Sequence, residues 1–135
     1  MRRKPVTIGA KASIQKAAEL FAKEGIGLLV IASSADPTRA EAVVSERDVV
    51  RAVAKGTQLG TPLDSIASRE LVSVRRSDQP SKAAKLMMDR GIRHLVVEND
   101  DGTLFGVLSI RDFFREDRLL QSFIKDEGHD THGSD

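Results

Sequence analysis

The stretch Gly91-Ile92-Arg93-His94-Leu95-Val96-Val97, with Ser109-Ile110-Arg111-Asp112 after it, restates Gly25-Ile26-Gly27-Leu28-Leu29-Val30-Ile31 and Ser45-Glu46-Arg47-Asp48. Working outward, Val6 to Val30 aligns with Val72 to Val96 at a constant offset of 66. The offset becomes 64 at the Ser-x-Arg-Asp motifs, because the first copy holds two extra loop residues. A chain that repeats itself in this way is built from two equivalent units, and equivalent units imply equivalent sites.

Periodicity assigns the elements within each unit. Pro5 to Ile8 is a short extended segment, after which Ile14, Ala17, Ala18 and Phe21 fall at the spacing of one helix face, with Ser13 as N-cap and Gly25 as C-cap. The second copy repeats this through Pro80, Ala83, Ala84 and Met87, with Pro80 in the first turn, Gln79 as a poorer cap and Gly91 at the end. Leu28 to Ile31 and Leu95 to Val97 are apolar, β-branched runs that read as buried strands. Glu98 to Thr103 is a turn signal leading into Leu104 to Leu108, a hairpin; in the first copy Ser33 to Arg39 makes a longer loop before Ala42-Val43-Val44. A helix follows each Ser-x-Arg-Asp. Between the copies, Thr61-Pro62-Leu63-Asp64 suggests one short helix with Thr61 as its cap and Pro62 in its first turn. After Asp112, Phe113, Leu120, Phe123 and Ile124 suggest an amphipathic helix. The expected organisation is a first repeat over 1–60, a second over 61–124, and a flexible acidic tail over 125–135.

A chain of 135 residues suits one compact domain, and a repeat of roughly 60 residues buries too little surface to stand comfortably alone, so the halves should share a core. The composition, 40% hydrophobic and 30% charged, is that of a soluble globular protein. A net charge of +1, no Trp or Tyr and few Phe argue against nucleic acid, and the apolar runs are too short to span a bilayer. Pro5 to Lys11 supplies no apolar run after the basic Arg2-Arg3-Lys4, so no targeting segment is read and the cytoplasm is expected. Cysteine is absent, which removes disulfides and thiolate chemistry.

The β-α-β-β-α unit, carrying a glycine-led strand and Ser-x-Arg-Asp twice in the same order, closely resembles the cystathionine β-synthase (CBS) domain over about Pro5 to Arg115. The resemblance implies an α+β fold of two β-α-β-β-α CBS repeats packed about a pseudo-twofold axis, a Bateman module with two symmetry-related clefts. Family members commonly bind AMP, ADP, ATP, S-adenosylmethionine or NAD there, and commonly pair into disc-shaped homodimers. The first copy departs from the family pattern with Ala42 where the second has Gly106, and neither has the proline often found in the second strand.

Ser-x-x-Asp at a helix start also reads as a plain capping box, so Ser45, Asp48, Ser109 and Asp112 have a structural role open to them. A helix start also gathers free N–H groups, so a phosphate could sit by Ser45 or Ser109, with Arg47 or Arg111 adding charge-assisted bonds. The resemblance gives Asp48 or Asp112 the ribose hydroxyls, a role suited to an acceptor-only carboxylate. The adenine would lie beside Thr7-Ile8 or Ser73-Val74 and the strand starts at Ile26 or Ile92. Arg75, Arg76, Arg93 and His94 align with Gly9, Ala10, Gly27 and Leu28, and Glu46 with Ile110, so the second site is expected to be the more cationic and to hold polyphosphate. His94 is a candidate ligand contact, though a histidine at a strand start is also an ordinary structural hydrogen-bonding residue. His129-Asp130-Thr131-His132 lies in the polar tail and is not read as a metal site.

No phosphate loop, His-Glu-x-x-His or other catalytic constellation is found, so the expectation is a stand-alone sensor and not an enzyme. It would need no cofactor beyond an adenosyl regulatory ligand, form a homodimer through late helices including Phe113 and Phe123, and signal to a protein the sequence does not name. The alternative is a ligand-free scaffold or nucleic-acid-binding homodimer using Arg2-Arg3-Lys4 and Arg75-Arg76.

Overall fold

The computed structural model describes residues 4–114. The first three residues, the helix expected through Leu120, Phe123 and Ile124, and the tail with its two histidines lie outside the described residues. Within them each repeat is built as the sequence implies. Strand β1 (Thr7–Ile8), helix α1 (Ile14–Glu24), strands β2 (Leu28–Ala32) and β3 (Ala40–Ser45) and helix α2 (Glu46–Ala54) form the first. Strand β4 (Ser73–Arg75), helix α3 (Pro80–Arg90), strands β5 (His94–Glu98) and β6 (Leu104–Ser109) and helix α4 (Ile110–Phe114) form the second.

Local chemistry sets the boundaries. Ser13 Oγ accepts the Lys16 N–H at 3.1 Å and starts α1. Gly25, at φ 63°, supplies the left-handed residue that ends it. In α3 Gln79 makes no side-chain cap, and Pro80 begins the helix at a position where its missing donor goes unneeded.

Each sheet has one parallel and one antiparallel edge. In the first, Thr7 lies opposite Val30 in parallel and Leu28 opposite Ser45 in antiparallel; in the second the counterparts are Ser73 with Val96 and His94 with Ser109. Even the irregularity is duplicated, at Ile31/Ala32 and at Val97/Glu98.

Alternation along the central strands explains why they are apolar on both faces. Leu29 and Ile31 of β2 turn toward Ile14, Ala17 and Phe21 of α1 and Val49 and Ala52 of α2. Leu95 and Val97 of β5 turn toward Ala83 and Met87 of α3, and Phe113 of α4 packs onto this second core. The residues between them face the other way, and Leu28 and Val30 meet Val107 of the opposite repeat, with Ala40, Val43 and Leu104 closing the cluster. Helices therefore cover the outer face of each sheet, and the inner faces pack on one another about the pseudo-twofold axis.

Far from the strand starts, the two loops clasp. The Leu104 N–H donates to the Thr38 carbonyl at 2.7 Å, and Arg39 Nη2 donates to the Asp101 carbonyl at 2.8 Å. Gly102, at φ 86°, is the residue under that guanidinium, where a Cβ would stand 2.6 Å from Arg39 Nη1.

The connector returns to the first repeat. Leu63 and Asp64 donate their N–H groups to Ala12 and Ala10, while Ile14 and Gln15 donate to Thr61 and Leu59. Its helix is a single 3-10 turn over Leu63–Ser65 that Pro62 precedes, not an α-helix capped by Thr61, because the chain must pair with residues 10–15 immediately before it. Leu63 is fully buried among Ile14, Phe21 and Leu29. Leu63→Ala should cost about 2–5 kcal/mol in urea unfolding, whereas Met88→Ala, at a side chain 80% exposed, should change stability by less than about 0.5 kcal/mol.

Candidate functional site

Each Ser-x-Arg-Asp motif is pinned to the strand start of its own repeat. The Glu46 N–H donates to the Gly27 carbonyl at 3.1 Å, and the Ile110 N–H donates to the Arg93 carbonyl at 2.9 Å. Because the two sheets pack inner face to inner face through Leu28, Val30 and Val107, both helix starts and both strand starts open on one shared cleft of about 620 Å³. The pseudo-symmetry thus gathers into one hollow what the sequence suggested as two sites. Residues from both repeats form its walls, and Val43, Val96 and Val107 give it an apolar floor.

Nine candidates line this cleft. They are Ile26, Ser45, Arg47 and Asp48 from the first repeat, and Ile92, Arg93, His94, Ser109 and Arg111 from the second. Thr7, Ile8, Ser73 and Val74 are not among its lining residues. Thr7 stands opposite Val30 and Ser73 opposite Val96, on the outer strand of each sheet. Val74 is buried in the second core, Ile8 packs against the first, and Ser73 Oγ donates to Glu98 Oε1 at 3.2 Å. Arg75 and Arg76 do not add charge to the cleft either. They lie at the far end of β4, where Arg75 Nη1 donates to the Asp100 carbonyl at 2.8 Å and Arg76 stacks 4.2 Å over the Phe105 ring. The basic patch proposed for nucleic acid is thereby engaged in binding its own hairpin.

In both motifs the Asp carboxylate turns back onto the Ser backbone. In the first, Asp48 Oδ2 accepts both the Ser45 N–H at 2.8 Å and the Ser45 hydroxyl at 2.9 Å, and Ser45 Oγ accepts the Asp48 N–H at 3.2 Å. That reciprocal box fixes the carboxylate and, among the described residues, leaves Oδ1 with no hydrogen bond recorded. In the second, Asp112 Oδ2 accepts the Ser109 N–H at 2.7 Å, and Ser109 Oγ accepts the Arg111 N–H at 3.2 Å. Asp112 itself is not a lining residue.

Sequence reasoning missed Arg51, Glu70 and Ser68 as lining residues. Arg51 was detectable, standing one turn beyond Arg47 on the same face of α2. Ser68 and Glu70 belong to the unrepeated connector, which reaches the cleft because Ser68 pairs with Val43 through two backbone hydrogen bonds of 2.9 Å. The cleft thus carries four arginines and three carboxylates, so attraction for an anion depends on placement, not on bulk charge. No group of three His, Asp or Glu among the described residues could hold a metal ion. No helix among them is long and apolar enough to cross a membrane.

His94 is half-buried against the first repeat, where a Cβ on Gly27 would stand only 2.7 Å from its Nε2. Burial holds its pKa below the usual 6.5, with Arg111 and Arg93 adding to the effect and Glu46 and Asp112 opposing it. On acidification the unfolded chain therefore takes this proton first. His94's contribution to stability is complete above pH 6.5 and is lost as pH falls through the lower folded-state value. Urea midpoints measured from pH 7.5 to 5.5 should fall more steeply for the wild type than for His94→Gln, and parallel curves would contradict this.

The CBS domain profile matches residues 1–55 and 63–118. A 17.7 kDa protein of Acidianus ambivalens is 29% identical over 103 residues, which are 76% of this chain and 61% of its own length. A protein of Methanopyrus kandleri is 30% identical over 107 residues, 78% of this chain and 54% of that one. The chain thus spans little more than half the length of these curated relatives. Among solved structures, a CBS domain protein of Pyrobaculum aerophilum complexed with AMP is 40% identical, with a TM-score of 0.82 covering 93% of this chain and 95% of that one. A CBS domain pair in complex with 5′-methylthioadenosine and S-adenosyl-L-methionine shares the fold at 20% identity, with a TM-score of 0.76 covering 90% and 91%.

Proposed function

The chain belongs to the CBS domain family, and from that membership we propose that it is a regulatory module. It binds an adenosyl ligand, AMP, ADP or ATP, or else S-adenosylmethionine or NAD, in the cleft between its repeats, and passes that occupancy to a partner protein. The observation that carries this reading is the convergence of Ser45, Arg47 and Asp48 with Ser109 and Arg111 on one cleft with an apolar floor. The likeness to an AMP-complexed protein at 40% identity supports the same ligand class.

Each group has a role that its geometry suits. Asp48, held by its capping box, offers Oδ1 to the hydroxyls of a ribose. The first turn of α2 presents its N–H groups to the 5′ substituent of the ligand, with Glu46 and Arg47 beside them. Ile26 and Ile92, with Val96 and Val107, supply the slot for the base. Thr7, Ile8, Ser73 and Val74 come to the site only through the strands they help to hold. In the second repeat Arg111 is the phosphate contact, and Asp112 acts one position behind it. The cleft offers donors, acceptors and an apolar wall, which is the chemistry of binding, and we read no catalytic step in it.

A ligand moves an equilibrium only by binding one state better than another. A molecule touching both cleft walls senses how the two sheets sit, and so can signal. A thermal-shift panel of AMP, ADP, ATP, S-adenosylmethionine and NAD tests the reading. A cognate ligand at 100 times its dissociation constant should add about 2.7 kcal/mol, roughly 10 °C for a chain of this size, and Asp48→Asn should reduce the shift. A flat panel would overturn it.

We propose a second copy of the chain as a further partner. Among the described residues α2 exposes Val50 at 65% and Val53 at 56%, whereas Phe113, expected at that interface, packs on the second core. Light scattering should give twice the chain mass, and Val50→Lys with Val53→Lys should halve it; a wild-type monomer would refute the pairing.

A further inference from the structure

The two halves of the cleft are counterparts in backbone but not in charge. The bonds from Glu46 to Gly27 and from Ile110 to Arg93 are the same bond in each repeat, so these residues occupy equivalent places. One half therefore has a carboxylate beside a glycine, and the other an apolar side chain beside a guanidinium. Arg47 does not distinguish the halves, because Arg111 is its counterpart in the second and both line the cleft. Glu70, the connector's carboxylate, is turned toward Arg90 at 3.4 Å.

Gly27 is also where the second repeat reaches across. A Cβ built on Gly27 would lie 2.7 Å from His94 Nε2 and 3.5 Å from Glu46 Oε1, so ring and carboxylate border the same small gap. The counterpart of His94 is Leu28, a buried apolar residue, and the other half has no such pair. Burial favours the uncharged imidazole, so the ring brings no positive charge to set against the Glu46 carboxylate.

We infer that Glu46 decides which ligand charge each half of the cleft accepts. Beside Gly27 and His94 it makes the first-repeat half a subsite for an adenosyl group whose 5′ substituent is uncharged or cationic, and it leaves phosphate to the half that bears Arg93. This rests on the adenosyl-binding reading above and adds a division of labour to it. A like charge at the range of a neighbouring side chain, in the effective dielectric of a protein surface, changes affinity roughly ten-fold.

Calorimetric titration of the full chain with adenosine and with AMP tests this. The wild type should bind two adenosines but only one AMP tightly. Glu46→Ile, which copies the second repeat, and Glu46→Gln should each raise the AMP-to-adenosine affinity ratio of the weaker site roughly ten-fold. Ile110→Glu should lower that ratio at the stronger site by a similar factor. Circular dichroism of each variant confirms that it is folded. Two equal AMP sites in the wild type, or an unchanged ratio in folded Glu46 variants, would overturn the charge assignment while leaving adenosyl binding intact. Failure of both ligands to bind would overturn the adenosyl reading itself, and this inference with it.

Discussion

The contact between the inner faces of the two sheets is the constraint on which the rest of the molecule depends. Leu28 and Val30 can be buried only because Val107, with Leu104 beside it, comes from the other repeat to cover them. Each such side chain removed from water is worth about 1.5–3 kcal/mol, and exposing that face would leave each half with a long apolar patch. The outer cores, around Ile14 and Leu29 in one repeat and Met87 and Leu95 in the other, complete each sheet on its helical side. The cleft is a by-product of this arrangement, because stacking the sheets with their strand starts together leaves a hollow where the helix starts turn away.

The same bonds serve stability and recognition. The capping box that starts α2 satisfies orphan N–H groups and, in doing so, fixes the Asp48 carboxylate. A group held in place by the fold loses little freedom when a ligand arrives, so a structural reading of Ser-x-x-Asp and a binding one do not compete here. The Arg39 clasp on the Asp101–Gly102 turn works at the other end of the sheets and limits how far the repeats can slide. Cleft and clasp sit at opposite ends of one interface, with the packed layer of Leu28, Val30 and Val107 between them.

Duplication also leaves room for difference. The backbone frame of the two halves is nearly the same, yet Gly27 corresponds to Arg93, Leu28 to His94 and Glu46 to Ile110. All six positions line the cleft. Two of them also pack, Leu28 at the inner interface and His94 with its ring in the space that Gly27 leaves open.

The repeat, its element order, both glycine C-caps and the paired Ser-x-Arg-Asp motifs were all legible in the chain, because they follow from spacing and from local hydrogen bonding. The double-sided burial of β2 and β5 was legible too, from runs with no polar face. What the chain alone did not yield was level and reach. Core packing took up Ile8 and Val74, Glu98 took up Ser73, and the hairpin drew Arg75 and Arg76 to Asn99 and Asp100. Strand register and the return of the connector through Leu63 are long-range choices, decided by which apolar faces must meet. Local sequence determined each motif and its cap, and the packing of two sheets determined that these motifs share a single cleft.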